Sequence, residues 1–289
     1  MGYVYIILSA LSFCFMTIFV KIAGHEVNTL QIVFFRGLFT LCVTYYFIYK
    51  NKIYIWGNNK KKLISRGLSG TFALFFVYES IQRITLSEAT VIQYLYPIFT
   101  IILAAIFLGE ESTKKNYLAI FIGLFGVYIV LNFPFLNSNI SFNYNNVLIA
   151  LVGSVLTALA YVLVRSCSND DESPYVIMFY FPLFTVPLSL PFTIINWSNP
   201  SLNTWFYIFM VGLCTQLGQT FLTFGYKLIP ASKAATASYV QVPFAALGGF
   251  IFFNEEISIN FLAGSLIIFV AVSLIIDKKK KNKNKVFTP

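Results

Sequence analysis

Charge is scarce in this chain. Of its 289 residues only 11% are Asp, Glu, Lys or Arg, against 58% hydrophobic, whereas a soluble domain carries about 25% charged residues. So little polar surface excludes a water-soluble fold and leaves no room for a separate soluble domain. Histidine occurs once, at His25, and Cys14, Cys42, Cys167 and Cys214 form no Cys-x-x-Cys pair. Metal sites need clustered Cys, His or carboxylate ligands, so no metal is expected, and the cysteines read as small packing residues. A glycine-rich phosphate loop and a Ser/His/Asp set are missing too. That argues against an enzyme, and against transport driven by bound ATP unless a partner supplies the nucleotide site. No cofactor is expected.

What is present is a series of long apolar runs. About 20 apolar residues cross a ~30 Å hydrocarbon core. Ten such runs fit at 2–23, 29–49, 65–83, 88–108, 115–133, 146–166, 174–196, 203–225, 231–253 and 257–276. Helices are the expected form, because every backbone donor in lipid needs an internal partner. The alternating ten-residue segments of a barrel do not occur. The first run lacks a positive start and a small-residue cleavage site, so it reads as an uncleaved span.

The basic residues sort by side once the amino terminus is set inside. Lys50, Lys52, Lys60, Lys61, Lys62 and Arg66 then fall on the inner face. Lys114, Lys115, Arg165, Lys227, Lys233 and the lysines of the tail join them. Only Lys21 and Arg83 fall outside, and Arg36 lies within a span. The bias follows the positive-inside rule and supports an even number of spans, with both termini cytoplasmic. The net charge of +9 is therefore topological. Its lysine-rich tail anchors the chain and touches anionic membrane lipids; nucleic acid is not an expected partner.

Two stretches repeat. Ser87-Glu88-Ala89 leads through Gln93-Tyr94-Leu95-Tyr96-Pro97 to Leu108-Gly109-Glu110-Glu111. Ser232-Lys233-Ala234 leads through Tyr239-Val240-Gln241-Val242-Pro243 to Phe253-Asn254-Glu255-Glu256. Leu8-Ser9-Ala10 with Val20-Lys21 likewise matches Val152-Gly153-Ser154 with Val164-Arg165. Five spans is an odd number, so a second five-span copy must enter the membrane upside down. The expected fold is all-α and integral to the membrane, ten transmembrane helices in a 5+5 inverted-topology repeat around a central cavity. Residues 1–138 form the first repeat, 139–277 the second and 278–289 a basic cytoplasmic tail. Internal repeats with matched helix breaks characterise secondary transporters.

The segments Phe34-Phe35-Arg36-Gly37, Arg66-Gly67-Leu68-Ser69-Gly70, Tyr94-Leu95-Tyr96-Pro97-Ile98-Phe99-Thr100 and Ala104-Ala105-Ile106-Phe107-Leu108-Gly109-Glu110 carry a further likeness. Through them the chain resembles the ten-helix EamA-type branch of the drug/metabolite transporter superfamily, over essentially its whole length. The resemblance implies the 5+5 repeat, cytoplasmic termini and a cavity between the halves. Members move amino acids, nucleotide-like metabolites, vitamins and organic cations, so membership does not name a cargo. Glu79 stands where the family usually has an aromatic or apolar residue, and Asn254-Glu255 replaces the Gly-Glu of the first copy.

Candidate functional residues follow from polarity at depth. Pro97 and Pro243 lack a donor and clash with the carbonyl four residues back. The carbonyls of Gln93 and Tyr239 are therefore expected to be free, either lining the pathway or sitting in a packing kink. Pro182, with Pro187 and Pro191, is expected to bend the seventh span, which could serve as a gate. Arg36 lies about 10 Å below the outer surface and Glu79 about 6 Å, at 1.5 Å per residue. Either they pair with each other, or Arg36 binds an acidic cargo group and Glu79 a cation or a coupling proton. Gln216, Gln219 and Thr223 share a helical face near the midplane. Tyr94, Tyr239, Gln241, and Tyr161 above Thr157 lie at comparable depth; such groups are interhelical glue or cavity lining. The acidic pairs Glu110-Glu111 and Glu255-Glu256 are expected to cap the helices that follow them.

The expected function is a secondary transporter, moving a small polar organic metabolite such as an amino acid or related zwitterion by alternating access. The alternatives are a carrier of organic cations or adenosyl-type and nucleotide-like compounds, and a lipid flippase. The small-molecule substrate, membrane lipids and a coupling proton or ion are the expected partners, and a bacterial inner (plasma) membrane the expected location.

Overall fold

The prolines at 97 and 243 mark real interruptions. A computed structural model of the protein describes residues 1–83, 86–131, 133, 136, 144–253 and 258–276. Helix α4 (Leu86–Gln93) stops two residues before α5 (Tyr96–Leu108), which carries Pro97 in its first turn. In the second half α10 (Ala231–Ala237) passes through a 3₁₀ turn, Ser238–Val240, into α11 (Gln241–Phe253), with Pro243 again near the start. The remaining helices are α1 (Gly2–Ala23), α2 (Thr29–Lys50), α3 (Lys60–Arg83), α6 (Lys114–Val130), α7 (Tyr144–Asn169), α8 (Pro174–Ile195), α9 (Leu202–Leu228) and α12 (Ile259–Ile275). No strand occurs among the described residues.

Helix ends obey local chemistry. The side chains of Asn28, Thr113, Ser201 and Ser258 accept backbone N–H groups at the starts of α2, α6, α9 and α12, satisfying donors that a helix cannot satisfy itself. Gly109 ends α5 at φ +63°, a left-handed conformation that favours glycine. α8 continues as one helix through Pro182, Pro187 and Pro191.

Seven helical stretches are long and apolar enough to cross a membrane, counting Ala89–Leu108 and Ala231–Phe253 as one each. The protein is an integral membrane protein. The other three sequence-predicted spans fall on α3, α6 and α12. α6 and α12 have 17 residues each, and α3 carries Arg66 and Glu79 inside its apolar run.

Contacts between helices come in matched sets. α1 packs on α9 and α11, as α7 packs on α3 and α5; α2 packs on α9 as α8 packs on α3. α2 also packs on α8, and α6 on α12. The pairs run antiparallel. Ser9 Oγ donates to the Gly218 carbonyl (2.8 Å), while Gly2 at the start of α1 abuts Ile229 beyond the end of α9. Thr193 Oγ1 donates to the Leu30 carbonyl (3.4 Å) and Gly37 abuts Val186. Asn146 Nδ2 donates to the Arg83 carbonyl (3.4 Å) while Gly153 abuts Val77. Gly126 abuts Ile268, and Gly264 abuts Val130.

At the end of the bundle where α1 starts and α12 stops, Tyr3 Oη donates to the Ile275 carbonyl (2.6 Å). Three sequence expectations are corrected here and nearby. Arg66 is no surface charge: it is 2% exposed, because α3 already packs on α7 and α8 at that level. Glu110 caps no adjacent helix. The Gly109 turn aims it at α7, where Arg165 Nε donates to Oε1 (2.9 Å), and its Oε2 accepts from Ala231 N at the start of α10 (2.9 Å). Finally, the Gln93 carbonyl is not free, since Ser154 Oγ donates to it (3.1 Å). Glu255, Glu256 and the lysine tail lie outside the described residues.

Candidate functional site

A cavity of about 220 Å³ opens among α1, α2, α3, α4, α7, α8, α9 and α11. Its polar lining consists of Arg36, Arg66, Gln93, Thr157, Tyr161, Thr215, Gln219 and Gln241; Phe13, Met16 and Phe181 are among its apolar walls. Among the described residues, no aspartate or glutamate lines it. A wider cleft of about 430 Å³ lies among Tyr54, Trp56, Lys60 and Tyr180 at the amino-terminal parts of α3 and α8. It is more open to the surface, and Lys60 is the charged residue in its lining. Convergent, buried polar groups distinguish the first site.

Five of the residues singled out by sequence meet here: Arg36, Gln93, Tyr161, Gln219 and Gln241. Arg36 reaches from α2 and is 7% exposed, with Nη1 3.7 Å from Met16 Sδ. Gln93 is the last residue of α4, so the helix break sets its side chain at the cavity wall. Its Nε2 donates to Thr157 Oγ1 (3.0 Å), while Oε1 is buried without a hydrogen-bond partner. Gln241 is the first residue of α11, the corresponding break in the other half. Tyr161 is held edge-on to Tyr96 and tilted against Tyr226, at centroid distances of 5.4 and 5.2 Å.

The other candidates are placed elsewhere. Glu79 does not meet Arg36; it pairs with Arg83 one turn on, at 2.6 Å, with both side chains nearly half exposed. Tyr239 is fully buried, and its hydroxyl donates to the Tyr94 carbonyl (3.2 Å) while the two rings lie 5.8 Å apart. These tyrosines join the two helix breaks to each other. Gln216 is 6% exposed and turns toward Thr220 (3.4 Å) rather than into the cavity. The cavity-facing pair on α9 is Thr215 and Gln219, four residues apart. Pro97, Pro243 and Pro182 are buried and shape their helices without lining the cavity.

Sequence reasoning missed Arg66. It follows Lys60, Lys61 and Lys62 and was grouped with them, yet Gly67 and Gly70 were the clue. A Cβ at Gly70 would collide with Arg66 Nη1, so glycine one turn on makes room for the guanidinium. The guanidinium carbon lies 5.4 Å from the centre of the Phe181 ring, within cation–π range. Nε and Nη1 of Arg66 have no hydrogen-bond partner. Thr215 Oγ1 is also buried and unpartnered. Most buried polar atoms are paired, so several unpaired ones around one cavity point to a polar occupant. Among the described lining residues, no nucleophile sits beside a base.

Helices of membrane-crossing length surround a polar hollow, an architecture that suits a membrane transporter. The model of the EamA-like transporter family matches residues 1–132 and again 145–277, and the chain belongs to that family. It is a transporter and not an enzyme. The chain is 26% identical over 283 residues to the pseudopaline exporter CntI of Pseudomonas aeruginosa (strain UCBPP-PA14), covering 96% of this chain and 97% of that protein. It is 26% identical over 274 residues to the S-adenosylmethionine uptake transporter of Rickettsia bellii (strain RML369-C), covering 92% and 89%. It is 30% identical over 268 residues to human solute carrier family 35 member G1, covering 88% of this chain and 73% of that protein. A solved crystal structure shares the fold with a TM-score of 0.79 at 15% identity, covering 93% of this chain and 96% of the other.

Proposed function

We propose that the protein is a secondary transporter that moves a small polar organic metabolite, an amino acid or related zwitterion, by alternating access around the cavity. The observation that carries this is the cavity's position between two matched sets of helices. Gln93 and Gln241 reach it from the two helix breaks, and Thr157, Tyr161, Thr215 and Gln219 complete a polar lining.

The reading includes ten spans in a 5+5 inverted repeat, 1–138 and 139–277, with the lysine tail 278–289 and both termini in the cytoplasm of a bacterial inner membrane. Three features support the repeat. The family model fits the chain twice. The helix contacts recur in matched sets. The corresponding helices α2 and α8 run antiparallel, as do α6 and α12, which a two-fold axis in the membrane plane would produce. Cargo, surrounding lipid and a coupling ion are the partners in this scheme.

A second reading is an adenosyl-type or cationic cargo. It draws on the likeness to an S-adenosylmethionine uptake transporter and on the aromatic walls Phe13, Tyr161 and Phe181. Counterflow in proteoliposomes, with amino acids and adenosyl compounds as trapped cargo, tests both. Exchange of an amino acid supports the first reading, exchange of an adenosyl compound alone the second, and exchange of neither speaks against a carrier.

A further inference from the structure

Among the described residues, the cavity is lined by two guanidinium groups and nothing acidic. Arg36 and Arg66 both line it, at 7% and 2% exposure. The ion pairs among the described residues involve neither. Arginine keeps its positive charge in proteins, and intramembrane charges normally pair with one another or with backbone carbonyls. Here Arg66 has Nε and Nη1 unpaired, stacked over Phe181 and accommodated by Gly70. Arg36 approaches only the weak acceptor Sδ of Met16.

One acid group could neutralise one of these cations and leave the other buried and uncompensated. Both arginines come from the first half of the chain, α2 and α3. The second half contributes neutral groups, Thr157, Tyr161, Thr215, Gln219 and Gln241. The hollow is thus charged on one side and amide- and hydroxyl-lined on the other. We propose that the cavity takes a small metabolite with two acidic groups, one on Arg66 and one on Arg36. The rest of such a molecule hydrogen-bonds to the amides, with the unpaired Gln93 Oε1 as acceptor for an amine or hydroxyl. At about 220 Å³ the hollow is smaller than the ~300–1,000 Å³ of drug-sized pockets, which suits a short-chain diacid. Each guanidinium offers a planar fork that matches a carboxylate in two-point contact.

This proposal rests on the cavity being the cargo site. The test uses the full chain purified in detergent. Its probes are aliphatic and amino dicarboxylates with two to five carbons between the acid groups, each beside its monoamide, with choline as a cation control. Thermal stabilisation and calorimetric binding are measured for each. At least one diacid is expected to bind about tenfold or more tighter than its monoamide, the scale of one charge-assisted hydrogen-bonded contact. Arg66→Gln and Arg36→Gln should each erase most of that preference. Equal binding of diacid and monoamide, preference for choline, or no binding by any diacid overturns the proposal; the wild-type comparison decides even if a variant fails to fold. Counterflow of a neutral or cationic solute would sink the dianion assignment and leave the carrier intact. Absence of binding and exchange for every solute class would remove both.

Discussion

Glu110 and Arg165 meet across the ends of α5 and α7, with Arg165 Nε 2.9 Å from Glu110 Oε1. The pair fastens four helices. Arg165 Nη1 also donates to the carbonyls of Tyr226 (3.1 Å) and Lys227 (2.8 Å) at the end of α9. Glu110 Oε2 accepts from Ala231 N at the start of α10. Terminal carbonyls of a helix favour a cation and terminal N–H groups an anion, so each charge sits where a helix end welcomes it. In the proposed two-half scheme, rocking would have to part this clasp, because Glu110 follows α5 while its partners lie on α7 and α10, and Arg165 also holds the end of α9.

Removing one partner should therefore loosen this end of the bundle. Both side chains are largely buried, at 18% and 14% exposure, and a hydrogen bond to a charged group contributes about 1.5–3 kcal/mol. Glu110→Gln is expected to lower thermal stability by that order and to raise labelling of cysteines introduced in the cavity from the face on which the clasp lies. Unchanged melting and labelling would make the clasp incidental.

Gly70→Ala is a second-site test of Arg66. The new Cβ meets Arg66 Nη1 and the Phe181 ring, so the guanidinium must move. Apparent cargo affinity is expected to fall several-fold while membrane insertion persists, and Arg36→Ala is expected to abolish flux. Normal flux in Arg36→Ala would reduce that arginine to a packing residue.

Gln219 and Gln216 should behave differently although they share α9. Gln219→Leu removes a cavity amide and is expected to weaken cargo affinity. Gln216→Leu removes a side chain whose Oε1 is buried and unpartnered, a change that is neutral or stabilising when no partner is orphaned strongly. Kinetics beside melting curves distinguish them: an affinity loss confined to Gln216→Leu would contradict the assignment of Thr215 and Gln219 as the lining pair.

The connection between α1 and α2 carries a pH-sensitive tie. Glu26 accepts from the backbone N–H and the hydroxyl of Ser201, and these bonds, the backbone one foremost, hold its carboxyl below the usual carboxylate range. A depressed carboxylate stabilises the fold above its unfolded value of about 4.3 and loses that contribution as pH falls through the lower folded value. The difference in melting temperature between wild type and Glu26→Gln should shrink on acidification below about pH 4. A constant gap would mean that Glu26 makes no titrating contribution.

Much of this was legible in the sequence. Apolar run length and the doubled proline breaks located the helices, and of the polar residues singled out within them Arg36, Gln93, Tyr161, Gln219 and Gln241 line one cavity. Rotation about a helix axis was harder to read. A shift of one residue turns a side chain by about 100°, which is why Gln216 and not Thr215 was chosen. Glu79 found a partner on its own helix, Arg83, that inspection of depth alone passed over. Arg66 was hidden because burial by α7 and α8 is a tertiary fact, invisible in a run of neighbouring lysines. Position along a span does not distinguish a lining ring from one that locks two helix breaks together, as Tyr94 and Tyr239 do.

Alternating access requires that the hollow be reached from each side of the membrane in turn. Thr215→Cys, in a chain whose four native cysteines are replaced, puts a thiol at the lining with little change in volume. Membrane-impermeant maleimide applied from either face of oriented vesicles should label it, and bound cargo should protect it. Labelling from one face under every condition, or from neither, would contradict alternating access through this cavity.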